Sequence, residues 1–380
     1  MRKCRFAVAL LLGWFFPVIT ACSFALAAPA AKDLSGRSHF KRALPGYRFS
    51  FPADHAAHPE FRTEWWYYTG HLTSHKQRTF GFQLTFFRHA LRPSESKARS
   101  RWSLHTIYFA HFAITDEQQA SFRFLEKVSR GSLGLAGTDP QRYRVWIADW
   151  SSELRDGVHQ LQAGDDDMSI DLRLQPLKPP ILHGEQGLSQ KAAGEGYASY
   201  YYSIPRLQAA GTLSWQGKRY AVNGIAWMDH EFGSNQLREY QVGWDWFSVQ
   251  LDNNVELMLY IIRHRNGTPD PNSSGTIIYQ NSQFEHLPLA SLQVKKLGTW
   301  HSKESGAVYP SGWLLQLPHQ RLQLTLLPTV KNQELTTATS TLVTYWEGSV
   351  KVTGTLAGKP VTGAGYVELT GYIAAFRPDI

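Results

Sequence analysis

The sequence predicts an all-β protein built from two tandem antiparallel β-barrels that pack side by side. Three observations predict this fold class. Segments of roughly 7 to 12 residues alternate apolar and polar side chains, polar or glycine-containing turns separate them, and the pattern recurs in the second half of the chain. Helical periodicity is almost absent. Aromatic residues make up 13% of the 380 residues, enough to line a large interior.

The clearest predicted strands span residues 61–72 and 78–88. In the second of them, Phe80, Phe82, Leu84 and Phe86 alternate with small or polar residues, which is typical of a half-buried antiparallel strand. We predict further strands, in chain order, at 103–114, 120–128, 142–149, 168–174, 197–204, 207–215, 219–228, 240–251, 255–263, 275–280, 308–317, 321–327 and within 342–372.

An internal repeat predicts the number of domains. Segments 66–72 and 80–88 recur as 245–251 and 255–263, each pair being an aromatic strand, a short turn, an apolar strand and a closing arginine. At the end of each half, Asp229 corresponds to Glu368. We therefore predict an N-terminal domain over 55–234 and a C-terminal domain over 235–380. Each is of a size that closes into an up-and-down barrel able to hold one elongated ligand.

The N-terminus has the features of an export signal. Three basic residues precede an apolar run over 6–19, which is too short to span a bilayer comfortably. Residues 19–22 resemble a bacterial lipobox, so the signal peptide would cover 1–21 and Cys22 would be lipidated; a small-residue site would instead place cleavage after Ala27. A linker over 22–54 follows. We expect a cell-envelope protein, either an outer-membrane lipoprotein facing the periplasm or a soluble periplasmic or secreted protein.

Composition and motifs exclude several classes of function. With two cysteines, one of them in the signal, the mature chain forms no internal disulfide. Its basic residues are scattered and no nucleic-acid motif is present, so we expect no nucleic-acid partner. The HExxH, P-loop, CxxC and GxSxG motifs are all missing. We expect no cofactor and no metal, because no spacing supports a site made from His111, His230 and a carboxylate.

The first chemically promising segment is 64–72. On a strand, Glu64, Trp66 and Tyr68 face one side, while Trp65 and Tyr67 face the other. A carboxylate beside indole and phenol rings is costly to bury unless it is hydrogen-bonded or protonated. Glu64 is therefore either a catalytic group or a structural one that fixes the barrel.

The second segment is 224–233, in which three ionisable side chains end an apolar strand. If Asp229 and Glu231 share one face, His230 takes the other. A carboxylate next to a histidine can form a proton-transfer pair, or simply cap the strand. Asp245, between two indoles, is a third candidate acid. His111 could approach the same cavity, although a lone histidine there is more often a core residue. The candidate catalytic residues are Asp229, His230, Asp245 and Glu64; the candidate substrate-binding residues are Trp65, Trp66, Tyr68, His111, Trp227, Glu231 and Trp244.

Three motifs carry a family resemblance. These motifs are EWWYYTGHL followed by FGFQLTFFR, then AWMDHEFG, and finally YWEGSVKVTGTLAGKPVTGAGYVELTGY. With them the chain resembles the AttH/CrtC lipocalin-like family over about residues 55–375. Members are often described as secreted hydrolases or carotenoid 1,2-hydratase-like proteins. The resemblance implies two packed lipocalin-like barrels. It also implies hydratase or cyclase chemistry and assigns catalytic importance to Asp229 and His230. The single-barrel GxW signature of lipocalins is not evident.

The sequence is compatible with two functions. In the first, the protein is an exported hydrolase- or hydratase-type enzyme that acts by acid catalysis on a hydrophobic or amphiphilic substrate. Asp229 or Asp245 donates the proton, His230 orients the acid or activates water, and the aromatic wall stabilises positive charge. In the second, the same barrels carry a lipid, pigment or similar apolar ligand without chemistry. The expected partners are this small ligand and, if Cys22 is modified, the membrane.

Overall fold

A computed structural model describes residues 39–93, 105–139, 141–235 and 237–376. The predicted signal peptide, Cys22 and most of the linker lie outside these residues. The described residues belong to one compact unit. In the described part of the chain, no helix is long and apolar enough to cross a membrane. Its helical elements are two single turns of 3₁₀ helix, Ala53–His55 and Leu289–Ser291.

The first sheet has 13 antiparallel strands. They are β1 (Thr63–Ser74), β2 (Thr79–Ala90), β3 (Thr106–Asp116), β4 (Ser121–Arg130), β5 (Ala136–Thr138), β6 (Arg144–Ile147), β7 (Trp150–Arg155), β8 (Val158–Gly164), β9 (Met168–Pro176), β10 (Ile181–Leu182), β11 (Leu188–Gln190), β12 (Ala198–Trp215) and β13 (Lys218–Asn235). The main order is β4-β3-β2-β1-β13-β12-β9-β8-β7-β6-β5, with β10 and β11 on β12. Because β4 lies against β6, the sheet curls into a nearly closed barrel.

The second sheet has ten strands. They are β14 (Gln241–Leu251), β15 (Glu256–His264), β16 (Ser274–Ile278), β17 (Phe284–Pro288), β18 (Gln293–Lys296), β21 (Trp313–Leu317), β22 (Leu322–Pro328), β23 (Glu334–Thr336), β24 (Thr344–Leu356) and β25 (Lys359–Leu369). Their main order is β17-β16-β15-β14-β25-β24-β22-β21-β18, with β23 on β24. The short strands β19 (Thr299–His301) and β20 (Val308–Pro310) pair separately.

The two sheets share one strand arrangement, which confirms the predicted all-β fold of two related sheets. In the first, β1 lies between β2 and β13, and β13 pairs with β12; in the second, β14 lies between β15 and β25, and β25 pairs with β24. The change from one sheet to the other falls between Asn235 and Gln241. The repeated motifs of the sequence therefore occupy equivalent strands.

Some local predictions were wrong. The two strands predicted at 197–204 and 207–215 are one strand, β12, interrupted by an irregularity at Pro205 and Arg206. Proline cannot donate the ladder hydrogen bond, so the register shifts there. Strands β7 and β8 were not predicted, because their Ser-, Glu- and Gln-containing sequences lack strong alternation.

Side chains of the central strands divide between two interiors. Trp66 and Tyr68 of β1 belong to the core enclosed by the first sheet. Tyr67 belongs to an aromatic cluster between the two sheets, together with Tyr201, Trp227 and Trp246. This is the division of faces that strand alternation predicts. The outer face of the first sheet is thus buried against the second.

Candidate active site between the two sheets

A cavity of about 200 Å³ lies where the two sheets meet. One wall comes from β1, β2, β3 and β13, and the other comes from β14, β15, β24 and β25. Its surface is mainly aromatic, from Trp65, Tyr67, Phe87, Trp244, Trp246 and Tyr345 among others. Such a concave, largely apolar site with a few polar groups is typical of small-molecule binding.

Four carboxyl groups line the cavity, and three of them form one group: Asp229 and Glu347, which are buried, and Glu368, which is partly buried. We call them the cavity acids. None of them forms an ion pair with a described Lys or Arg side chain. Glu347 and Glu368 are directly opposite each other on β24 and β25, so their side chains share one face. Burial without a neighbouring cation favours the protonated form of a carboxyl group.

Glu347 is the most isolated of the cavity acids. It is 1% exposed, its Oε1 accepts a hydrogen bond from the Tyr67 hydroxyl at 2.6 Å, and its Oε2 has no partner among the described residues. Burial raises its pKa well above the ordinary value, and the neighbouring Glu368 and Asp229 add to the rise. Burial therefore favours the protonated form of Glu347, and the described residues leave one of its oxygens unpaired.

Glu368 has one hydrogen-bond donor. The Trp244 indole nitrogen donates to its Oε2 at 2.9 Å. Burial raises its pKa to about 7, with contributions from Asp229 and Glu231.

Asp229 accepts more hydrogen bonds than Glu347 or Glu368. Tyr201 donates to its Oδ2 at 2.7 Å, while Trp227 at 2.7 Å and Ser203 donate to its Oδ1. Burial raises its pKa to about 7, although the three donors oppose the rise. With both oxygens hydrogen-bonded, Asp229 is placed to exchange protons but is less free than Glu347 to contact a ligand.

Glu231 follows two residues later on β13 and also faces the cavity. It is paired with the buried Lys191 at 3.1 Å and accepts a hydrogen bond from Ser199. The Lys191 ammonium also lies 4.1 Å from the Tyr260 ring centre, a cation–π contact. Lys191 thus forms its ion pair with Glu231 and not with any of the cavity acids.

His230, between these two acids, points to the interior of the first sheet. There it forms part of what we call the Glu64 cluster: Glu64, His58, Arg88 and His230. Glu64 Oε1 is 2.9 Å from His230 Nε2 and 2.8 Å from His58 Nδ1, and Arg88 Nε donates to Oε2 at 2.9 Å. Burial alone would raise the pKa of Glu64, but Arg88 and the two histidines lower it well below the ordinary value. Three hydrogen-bonded partners therefore hold Glu64 in its ionised form.

The Glu64 cluster also has a set of atoms that could reach a metal ion. One ligand atom each from His58, Glu64 and His230 lie within 4.8 Å of one another. The donor set nevertheless fits a cation poorly, because the Arg88 guanidinium binds the same carboxylate and would repel an adjacent ion. Hydrogen bonding accounts for all three side chains.

Asp245 has an equivalent structural setting in the second sheet. Arg263 Nε donates to its Oδ1 at 2.8 Å, and the Tyr372 hydroxyl donates at 2.9 Å. Arg88 and Arg263 are the two closing arginines of the repeat, and each neutralises a buried carboxylate. Asp245 does not line the cavity.

The other residues singled out from sequence are divided between the two interiors. Trp65, Trp244 and His111 line the cavity, whereas Trp66 and Tyr68 pack inside the first sheet. Trp227 packs in the aromatic cluster between the sheets and reaches the site through its bond to Asp229. His111 is hydrogen-bonded to Tyr345 and Ser340 at 2.8 Å each, and burial lowers its pKa to about 4.

Sequence reasoning missed Glu347 and did not propose Glu368 as a site residue. The repeat did contain a signal for Glu368, since it corresponds to Asp229. For Glu347 the only signal is a carboxyl between a tryptophan and a glycine in an aromatic strand.

The chain matches the family model "AttH-like" over residues 42–372, and it belongs to the AttH-like family. A candidate AttH from Nitrosomonas europaea has a similar crystal structure, with a TM-score of 0.79 and 32% identity over 88% of this chain and 100% of that one.

A second group of relatives bears the name kievitone hydratase. The enzyme of Fusarium solani subsp. phaseoli is 23% identical over 212 residues, which cover 54% of this chain and 58% of that protein, so the match spans less than two thirds of the relative. The crystal structure of kievitone hydratase from Nectria haematococca has a TM-score of 0.68 and 16% identity, over 88% of this chain and 96% of that one. At this identity the second likeness shows a shared fold.

Proposed function

We propose that the protein is a hydratase-type enzyme that adds water to a carbon–carbon double bond of an apolar substrate held between the two sheets. Glu347 gives its proton to one carbon of the double bond, and the oxygen of a water molecule bonds to the other carbon. The proton that this water loses returns to the Glu347 carboxylate, so the enzyme ends in its starting state.

The observation that carries the proposal is the setting of Glu347. Burial and two neighbouring carboxyl groups raise the pKa of Glu347 well above its ordinary value, which favours the protonated form that a general acid must have. Glu347 lines the cavity, where a substrate would lie, and its Oε2 has no hydrogen-bond partner among the described residues. The hydratase-named relatives support the same class of reaction.

The aromatic walls of the cavity can stabilise the positive charge that this reaction creates. Protonating an alkene places positive charge on carbon, and aromatic faces attract cations. Trp65, Trp244 and Trp246 supply such surfaces, and Asp229 supplies a carboxyl group whose pKa is near 7. Binding of a strongly anionic substrate is disfavoured, because the only Lys or Arg among the described lining residues is Lys191, which is already paired.

The test compares purified wild-type protein with Glu347→Gln. Kievitone and a panel of neutral aryl alkenes serve as probes, and mass spectrometry detects the gain of one water molecule. Glutamine keeps the bond from Tyr67 but has no acidic proton, so we expect turnover to fall by about 10²-fold or more with binding unchanged. Glu304→Gln, an exposed glutamate, is the matched control. Equal turnover by Glu347→Gln would remove Glu347 from the mechanism.

The same assay separates the enzyme from a carrier. Quenching of tryptophan fluorescence reports probe binding, since the indoles of Trp65, Trp244 and Trp246 line the cavity. Wild-type protein that binds the probes and leaves them unchanged would support a non-catalytic lipid or pigment carrier instead.

We also propose that the protein works in the cell envelope, anchored through Cys22 or released after cleavage. The support is the N-terminal sequence: a basic start, a short apolar run and a lipobox-like end. Mass spectrometry of the mature N-terminus tests this. A diacylglyceryl-modified Cys22 is the expected result, and an unmodified end at Ala28 would refute lipidation.

A further inference from the structure

Two residues that line the cavity each have a buried side-chain oxygen without a hydrogen-bond partner among the described residues. The two atoms are Glu347 Oε2 and Gln83 Oε1. Gln83 is 1% exposed, so bulk water does not satisfy it. Unpaired buried polar atoms are rare and costly, and a pair of them on residues that line one cavity points to a small polar molecule that belongs there.

Gln83 and Glu347 lie in the same part of the cavity. The Gln83 amide nitrogen donates to Thr85, and Thr85 is directly opposite Tyr67 on β1. Tyr67 in turn donates to Glu347. A short chain of neighbouring residues therefore connects the side chains of Gln83 and Glu347.

Strands β2 and β24 pack closely against each other near Gly81 and Ser349. A Cβ atom placed on Gly81 would lie 2.8 Å from the Cβ of Ser349, so the two strands are in close contact there. Gln83 is two residues beyond Gly81, and Glu347 is two residues before Ser349. Side chains two residues apart on a strand share a face, so both point toward the inter-sheet space.

The two atoms have complementary roles. The amide oxygen of Gln83 accepts a hydrogen bond, whereas protonated Glu347 donates one. A single water molecule can donate to the first and accept from the second. If the amide is turned over, its N–H group holds the same water. The cavity has ample room for it.

We infer that Gln83 binds the water molecule that is added to the substrate and holds it beside Glu347. This inference rests on the proposed hydratase function and names the group that positions the nucleophile. An amide is too weak a base to take the water's proton, so Gln83 fixes only the position of the oxygen. The proton goes to the Glu347 carboxylate once that group has protonated the alkene.

The experiment uses Gln83→Leu, which keeps the approximate size of the side chain and removes its polar atoms. With an aryl alkene probe in D₂O, two rates are measured: water addition, and deuterium incorporation into recovered alkene. When the cation formed by deuteron transfer from Glu347 loses a proton instead of taking up water, the recovered alkene carries deuterium, so the second rate reports the acid alone. For Gln83→Leu we expect hydration to fall by about 10- to 100-fold while deuterium incorporation persists.

The outcomes distinguish the two proposals. Glu347→Gln should lose both rates, and the exposed-site control Gln175→Leu should lose neither. If wild-type protein shows neither rate with any probe, the proposed function fails. If wild type hydrates the probe and Gln83→Leu matches it within twofold, the hydratase stands and the role of Gln83 is overturned.

A crystal structure of the ligand-free protein gives an independent readout. We expect an ordered water within hydrogen-bonding distance of the Gln83 amide and Glu347, and its loss in Gln83→Leu. A dry site in a well-resolved wild-type structure would overturn the inference. Thermal unfolding of each variant shows that the fold is retained.

Discussion

Glu64 and Glu347 are both glutamates with almost no exposed surface, yet their settings are opposite. Glu64 has an arginine and two histidines around it, and its pKa lies well below the ordinary value. Glu347 has one phenol and an oxygen without a described partner, and its pKa lies well above the ordinary value. Burial alone therefore does not identify a functional acid. The decisive feature is whether the fold supplies a compensating cation.

The largest expected effect comes from breaking the Glu64 cluster. Arg88→Met keeps an apolar stem but leaves a buried carboxylate without its guanidinium. We expect the free energy of unfolding to fall by about 3–5 kcal/mol, measured by urea denaturation. The exposed-site control Arg173→Met should change it little. Wild-type stability in Arg88→Met would show that Glu64 is not held as an ion.

The equivalent arginine of the second sheet allows a comparison between repeats. Arg263→Met removes one cation beside Asp245, but the Lys296 ammonium remains 3.8 Å from Oδ2. The Tyr372 hydroxyl also remains within 3.0 Å of both carboxylate oxygens. Arg88→Met leaves the buried carbonyls of His58 and Phe61 without their guanidinium donor as well. We therefore expect a smaller loss from Arg263→Met, about 2–3 kcal/mol, in the same urea experiment. A loss as large as that of Arg88→Met would mean that the two arginines stabilise the fold equally despite their different surroundings.

A smaller effect should appear in the pH dependence of stability, where Glu368 and Glu64 act in opposite directions. Glu368 has a folded-state pKa of about 7, above its unfolded value, so its contribution is full below the unfolded pKa and is lost as pH rises through 7. Glu64 has a lowered pKa, so its contribution is present above the unfolded pKa and is lost on acidification.

The variant that isolates this effect is Glu368→Gln, which keeps a side-chain oxygen for the Trp244 indole but cannot ionise. Between about pH 4.5 and 7, the contribution of Glu368 to wild-type stability should fall with rising pH. The variant should lose about 1–2 kcal/mol less over this window. Urea denaturation at half-unit pH steps measures it, with Glu304→Gln as the exposed-site control. Parallel profiles for wild type and Glu368→Gln would contradict the burial of a neutral acid.

The face that each strand residue occupies could be predicted from sequence, because strand alternation depends only on neighbouring residues. Strand alternation placed Trp65 and Tyr67 on the face opposite Trp66 and Tyr68, and it separated His230 from its two acidic neighbours on β13. The repeat placed equivalent strands at the centre of each sheet.

The position of the cavity could not be predicted in the same way. Tyr67 and Glu347 are 280 residues apart in sequence and meet only because one sheet packs on the other. Likewise, nothing near Glu64 in sequence indicates that Arg88 and His230 converge on it. Residue spacing reports which face a side chain occupies, whereas the partner on that face comes from tertiary packing.

The pairing of β1 with β13 and of β14 with β25 sets the order in which the protein can be completed. Strand β1 ends at Ser74, but its second neighbour, β13, ends only at Asn235. In the same way, β14 ends at Leu251, and its second neighbour, β25, ends at Leu369. During synthesis each central strand therefore has one open edge until its half of the chain has emerged. The cavity walls include β24 and β25, so these walls are complete only after β25 has been synthesised as far as Leu369.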